Sequence, residues 1–168
     1  NLSYKIDELT IISSNLDSID DEAFNSTTFN DLKELTINGE FPEETTLSLA
    51  NARSLVGLNV LEKLEIKNYF AIHGNASLQG VSHSLLFLSI TNIGNSIFPR
   101  SHFGYITFSK IISLDISSNQ LSSTGFNNLT FTGVQESLKR LDMSNSRVIN
   151  ITASTFENFP NIELINLQ

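Results

Sequence analysis

One spacing of apolar residues constrains this chain more than any other feature of its sequence. It is clearest in the eleven residues IISLDISSNQL that begin at Ile111, where apolar residues hold the first, fourth, sixth and eleventh places and an asparagine holds the ninth. The full spacing recurs from residues 6 and 138, and its first part recurs from residues 32, 61, 85 and 162. Successive starts are 26, 29, 24, 26, 27 and 24 residues apart, which indicates a chain built from repeats.

The apolar fourth and sixth places predict a short strand in each repeat, with one buried face. A single repeat cannot cover its own buried side chains, and the repeats before and after it complete the core. The strands therefore stack in parallel and form a solenoid. We therefore predict an α/β solenoid: a curved right-handed stack with a parallel concave sheet and a convex side of loops and short helices. It forms one domain over residues 1–168, with about seven repeats starting near residues 6, 32, 61, 85, 111, 138 and 162.

The residue at the ninth place predicts which repeats share the same turn after their strand. Asn119 is expected to point inward and bond the backbone groups that the strand leaves open as the chain curves away. Ser14 and Ser146 are partial substitutes at this place. Elsewhere the place is held by Glu40, Tyr69 and Ile93, so the polar ladder is expected to be broken and some coils to turn differently.

The return segments carry most of the phenylalanines. We interpret these rings as the inner spine of the convex side rather than as a ligand site. They are Phe24, Phe29, Phe108, Phe156 and Phe159, with Leu58 in an equivalent place. Over residues 48–58 the apolar residues are close to helical spacing, which predicts a short convex helix there.

The extended pattern LxxLxLxxNxLxxIxxxxF resembles the extracellular leucine-rich repeats of animal receptors and adhesion proteins, such as Toll-like receptors, chaoptin and slit. The resemblance covers essentially the whole chain. It implies a non-enzymatic recognition module, part of a cell-surface receptor or adhesion ectodomain, that holds a protein ligand or co-receptor on its concave sheet or flank. The alternatives are a self-assembling structural repeat protein and a substrate-recruiting domain of a cytosolic protein.

Charge restricts the class of partner. The net charge is −8, and residues 1–44 carry eleven acids against two bases, a balance of −9. Nucleic acids and anionic membranes need clustered lysine and arginine, so neither is expected as a partner. A basic protein ligand is compatible with the acidic end, and so is a surface that is merely solvated.

Composition says less about the compartment. No stretch approaches the roughly 20 apolar residues of a membrane span. The chain has no cysteine, which fits the middle of an ectodomain and a cytosolic protein equally. The last repeat stops in its strand at Leu167 and neither end has a cap, so we expect an uncapped piece of a longer ectodomain, able to form homo-oligomers or end-to-end assemblies.

The third, fifth, seventh and eighth places of each repeat are expected to point away from the core. They supply the candidate protein-binding residues, which are Glu34, Lys63, Glu65, Lys67, Phe87, Ser89, Asp115, Arg140 and Asp142. Asp115 and Asp142 should stand side by side about 4.8 Å apart. We hypothesise that this pair receives a lysine or arginine from the partner, and that Phe87 anchors the interface.

Modification and catalysis complete the expectations. Five sequons predict glycosylation at Asn1, Asn25, Asn75, Asn128 and Asn150. The repeat style and the sequons favour an extracellular location. His73, His83 and His102 have no metal-ligand spacing and no catalytic motif is present, so no catalytic residue, metal or cofactor is expected.

Overall fold

The fold is described from a computed structural model. It describes residues 5–13, 15–40, 45–49, 53–73, 78–94, 106–121, 131–148, 151 and 154–168. Within this part the chain is a solenoid of parallel strands with almost no helix.

The main sheet contains seven strands, and each begins at the third place of the spacing found in the sequence. They are β1 (Glu8–Ile12), β3 (Glu34–Asn38), β5 (Lys63–Tyr69), β7 (Phe87–Ile93), β8 (Ser113–Asp115), β9 (Arg140–Asp142) and β10 (Leu164–Asn166). They pair in the order β1-β3-β5-β7-β8-β9-β10, and every pair is parallel. Neighbouring strands are therefore contributed by neighbouring coils.

The register of this sheet confirms that the fourth place forms a single row. The aligned residues are Leu9, Leu35, Leu64, Leu88, Leu114, Leu141 and Ile165. The five from Leu35 to Leu141 along this row are buried. Each fully buried leucine stabilises the fold by about 1.5 to 3 kcal/mol, so the row is a major source of cohesion between coils.

A second, smaller sheet follows the main sheet in the first three coils. Its parallel strands are β2 (Ser18–Ile19), β4 (Thr46–Leu49) and β6 (Ala71–His73), in the order β2-β4-β6. Leu47 and Leu49 alternate with Thr46 and Ser48, and both leucines are buried. The sequence pattern did not predict this sheet.

The expectation of an α/β fold with a helix over residues 48–58 is wrong. Residues 46–49 belong to β4, and residues 53–57 form turns. In the described part of the chain the only helical elements are two 3₁₀ helices of three residues each, Thr27–Phe29 and Gln79–Val81. Leu55 and Leu58 are buried as expected, but turns rather than a helix place them.

The aromatic residues of the return segments lie in the core, as predicted. Phe24, Phe108 and Phe159 are buried, and Phe29 and Phe156 pack partly buried against the same cluster. Phe131, which the spacing did not single out, is fully buried and packs edge to face on Phe159 with ring centroids 5.8 Å apart. These rings fill the side of the coil opposite the main sheet.

The chain leaves the main sheet through a left-handed residue. The eighth place of four coils has a positive φ between 54° and 62°, at Asn68, Asn92, Ser118 and Asn145. Short polar side chains tolerate this conformation better than branched ones. In the second coil the eighth place is Gly39, and the positive φ of 54° falls one residue later, at Glu40.

The ninth place behaves as the sequence predicts in the fifth coil. Asn119 is buried, donates to the carbonyls of Ile90 (2.6 Å) and Ile116 (2.8 Å), and accepts from the Ile93 amide at 2.8 Å. In the next coil Ser146 donates to the Ile116 carbonyl at 3.0 Å. These bonds join three successive coils, because Ile93, Asn119 and Ser146 occupy the same place in each.

Tyr69 fills the ninth place of the third coil in another way. Its ring is buried, and a methyl group added to Gly39 would lie 2.9 Å from the ring, so the missing side chain of Gly39 makes room for it. Its hydroxyl is the one buried side-chain polar atom in the described residues without a hydrogen-bond partner. Burial raises the pKa of this phenol above its ordinary value.

Candidate functional site

The main sheet leaves one of its two faces uncovered. We call this the open face and define it by the third, fifth and seventh places of the seven strands. In β5 and β7 these places are half-buried or exposed, whereas the residues between them are buried. All nine candidate protein-binding residues lie on this face, in aligned rows that cross the sheet.

Asp115 and Asp142 stand on adjacent strands in direct register, as predicted. Each carboxylate accepts a bond from the amide two residues later, Ser117 N to Asp115 Oδ1 and Ser144 N to Asp142 Oδ1, both at 2.9 Å. These bonds close the turn where each strand ends. Both aspartates therefore have a structural role that the sequence analysis missed.

Further donors reach the same two carboxylates. Ser89 Oγ donates to Asp115 Oδ2 at 3.3 Å, and Asp142 accepts from Ser144 Oγ at 2.7 Å and from Asn166 Nδ2 at 2.9 Å. Partial burial disfavours the Asp142 carboxylate, but the bonds from Ser144 and Asn166 outweigh it and lower the pKa of Asp142 below its ordinary value. Hydrogen bonds already stabilise the pair, so their adjacency alone no longer requires a cation from a partner.

The cations of the open face differ in whether they have an acidic partner. Lys63 pairs with Glu34 on the neighbouring strand at 3.0 Å, and Lys67 pairs with Glu65 on its own strand. The hydrogen bond and charge of Glu34 raise the pKa of Lys63. Within the described residues Arg140 has no ion pair, and its side chain is exposed.

Two of the cavities formed by the described residues open on this face. The first has a volume of about 560 Å³, crosses β5, β7 and β8, and has mainly polar walls. Its walls include Glu65, Lys67, Asn68, Ser89, Asn92 and Asp115. The second, which we call the flank cavity, has a volume of about 260 Å³ and lies where β7, β8 and β9 begin. It is lined by Phe87, Ile112, Ser113, Lys139, Arg140 and Glu163.

Asparagines form a ladder along the edge of the first cavity. Asn68 Nδ2 donates to Asn38 Oδ1 at 2.7 Å, and Asn92 Nδ2 donates to Asn68 Oδ1 at 2.9 Å. The sequence analysis did not assign these side chains to the site. The available signal was the polar eighth place that Asn68 and Asn92 share, which the spacing already predicts to point outward.

The remaining expected sites lie largely outside the described residues. Asn1, Asn75, Asn128 and Asn150 do so, whereas Asn25 is exposed in the turn after β2, and its side-chain amide donates to Glu22 at 3.5 Å. In the described part of the chain no three acidic, histidine or cysteine side chains are grouped closely enough to hold a metal ion. The same part of the chain contains no helix with the length and apolarity to cross a membrane.

Comparison with known proteins adds no identification. No protein-family model, no curated protein and no solved structure matches this chain.

Proposed function

We propose that this chain is a leucine-rich-repeat recognition module of the extracellular receptor or adhesion type, and that it binds a protein partner through the open face. In this proposal the stack is right-handed, the open face is its concave side, and the role is non-enzymatic. The support for the repeat type is the coincidence between the leucine spacing and the strand register.

One observation carries the binding role. The open face is a seven-stranded parallel surface on which an aromatic ring, three cations and several carboxylates stand in rows, on a backbone fixed by the buried leucine row. Phe87 keeps 42% of its surface exposed on this otherwise largely polar face. A sheet that presents an exposed aromatic ring and an exposed arginine suits protein recognition, because aromatic and arginine side chains are enriched at protein interfaces.

The proposal is tested with matched pairs of arginine substitutions. One pair, Thr36→Arg and Ser89→Arg, lies on the open face. The control pair, Thr28→Arg and Gln79→Arg, adds the same charge at exposed positions of two return segments and leaves the Asn25 sequon intact. The wild type is screened against an array of secreted and cell-surface proteins, and affinities of the proteins it binds are then measured for both variants.

We expect the open-face pair to weaken binding by about tenfold or more, and the control pair to change it by less than about twofold. Equal effects of the two pairs would refute binding through the open face.

The extracellular part of the proposal has its own test. Asn25 is exposed and outside any strand, so its amide is sterically available to a glycan. Secretion of the chain from animal cells, followed by enzymatic removal of N-glycans, should give a mass loss that Asn25→Gln reduces by one glycan. An unglycosylated secreted chain would contradict the glycoprotein assignment.

A further inference from the structure

We infer that the flank cavity binds an acidic segment of the partner, in which a carboxylate lies next to an apolar side chain. This inference rests on the proposed function and specifies the chemistry that the open face recognises. The charge of this segment is opposite to that of the basic ligand with which the acidic end of the sequence is compatible.

The first step is the row of third-place residues that crosses β7 to β10. Phe87, Ser113, Arg140 and Leu164 stand in direct register on four successive strands. Phe87 and Arg140 are therefore two strand spacings, or about 10 Å, apart at the backbone. The small Ser113 between them leaves the space that forms the cavity.

The second step is the charge in the cavity. Lys139 is neutralised by Glu163, since their side chains pair at 2.9 Å. Arg140 is exposed and has no carboxylate partner in the described part of the chain. The ion pairs of the described residues use five other cations and not Arg140, so the cavity presents one guanidinium whose planar fork is open to a carboxylate.

The third step is the apolar surface beside this guanidinium. Phe87, with 42% of its surface exposed, and the half-buried Ile112 form the apolar wall of the cavity. Leu164, with 55% of its surface exposed, lies outside the lining on the strand beyond Arg140. Water contact at these side chains is unfavourable, and an apolar group placed over them removes it. A segment that carries both an apolar side chain and a carboxylate satisfies the ring and the guanidinium together.

The two aspartates do not compete for Arg140. No ion pair joins Arg140 to Asp115 or Asp142, and both carboxylates already accept bonds from serine and asparagine donors. The lining of the flank cavity contains neither aspartate; its charged residues are Lys139, Arg140 and Glu163, a balance of +1, which favours an incoming acid over an incoming base.

The test uses a random twelve-residue peptide library displayed on phage, selected against the full wild-type chain. We expect the selected peptides to carry an aspartate or glutamate within about three residues of a large apolar residue. Synthetic versions are then titrated against wild type, Arg140→Glu, Phe87→Ala and the control Lys110→Glu. Lys110→Glu makes the same charge reversal at an exposed position outside the cavity.

Arg140→Glu is expected to weaken binding by at least about tenfold, Phe87→Ala by about fivefold or more, and Lys110→Glu by less than about twofold. Replacing the peptide carboxylate by an amide should remove the difference between wild type and Arg140→Glu. All three variants change exposed side chains, and unchanged circular dichroism spectra establish that they fold.

Several results would overturn the inference. These are selection of basic peptides, selection of none, or peptides that bind wild type and Arg140→Glu equally. A wild-type dimer that Arg140→Glu dissociates in sedimentation velocity would give the cavity to a second copy of the chain and would also overturn it. If Arg140→Glu leaves peptide affinity unchanged but the open-face arginine pair weakens it, the proposed function stands and only this inference fails. If neither change affects peptide affinity, both the inference and the proposed function are refuted.

Discussion

Asn119 provides the most direct test of how neighbouring coils are held together. Its side chain makes three buried hydrogen bonds, to Ile90 O, Ile93 N and Ile116 O. Asn119→Ala removes all three at once. The Ile116 carbonyl keeps a donor in Ser146, but the side-chain partner of the Ile93 amide and of the Ile90 carbonyl is lost.

The magnitude follows from these two backbone groups. A buried polar group left without a partner costs about 1 to 3 kcal/mol, and the space left by the amide adds to that cost. We therefore expect Asn119→Ala to lower the free energy of unfolding by about 3 to 5 kcal/mol. Asn119→Ser should lose less, because the serine at the same place of the next coil already bonds a backbone carbonyl.

Urea unfolding of the full chain followed by circular dichroism measures these differences. Gln120→Ala, at the exposed neighbouring position, is the control and should change stability by less than about 0.5 kcal/mol. A loss below about 1 kcal/mol for Asn119→Ala would refute the reasoning, since it would mean that the interior backbone groups find other partners at little cost.

Three further substitutions test other features of the fold. Tyr69→Phe removes a hydroxyl that has no hydrogen-bond partner, so the midpoint temperature of thermal unfolding should rise or stay unchanged. A decrease of more than about 1 kcal/mol in the free energy of unfolding would show that the hydroxyl does have a partner. Gly57→Ala adds a methyl group 2.6 Å from the Phe24 carbonyl at a φ of 103°, and should cost about 2 kcal/mol or more in urea unfolding. The folded state lowers the pKa of Asp142. The stability advantage of wild type over Asp142→Asn should therefore be fully present at pH values above the ordinary pKa of 3.8, and should be lost as the pH falls from there through the lowered pKa of the folded state. An advantage independent of pH would contradict that assignment.

The main sheet was predictable because its cause is local and repeated. The fourth and sixth places of each coil alternate with polar residues, and that pattern fixes both the strand and the side it buries. Asn119 was predictable for the same reason, because its amide at that place supplies two donor hydrogens and an acceptor oxygen to the backbone groups around it. The helix predicted over residues 48–58 is wrong because the spacing of Leu49, Leu55 and Leu58 is close to helical. The alternation of Leu47 and Leu49 with polar residues instead indicates the strand that forms there.

The candidate site was predictable in position but not in chemistry. The spacing alone placed Phe87, Arg140 and the two aspartates on one face of the sheet. The donors that satisfy Asp115 and Asp142 come from Asp-x-Ser stretches whose turn geometry the alternation does not reveal. The unpaired state of Arg140 depends on where other acidic side chains point, which no linear spacing encodes.

The register of the main sheet keeps the outward side chains of the open face at constant spacing from strand to strand. Successive coils differ in length from 24 to 29 residues, yet their outward side chains remain in strict alignment across the strands. Backbone pairing fixes the spacing of neighbouring strands at about 4.8 Å, so differences in coil length are confined to the return segments on the opposite side of each coil. Return segments can therefore be lengthened, shortened or replaced while the distances between the side chains of the open face stay constant.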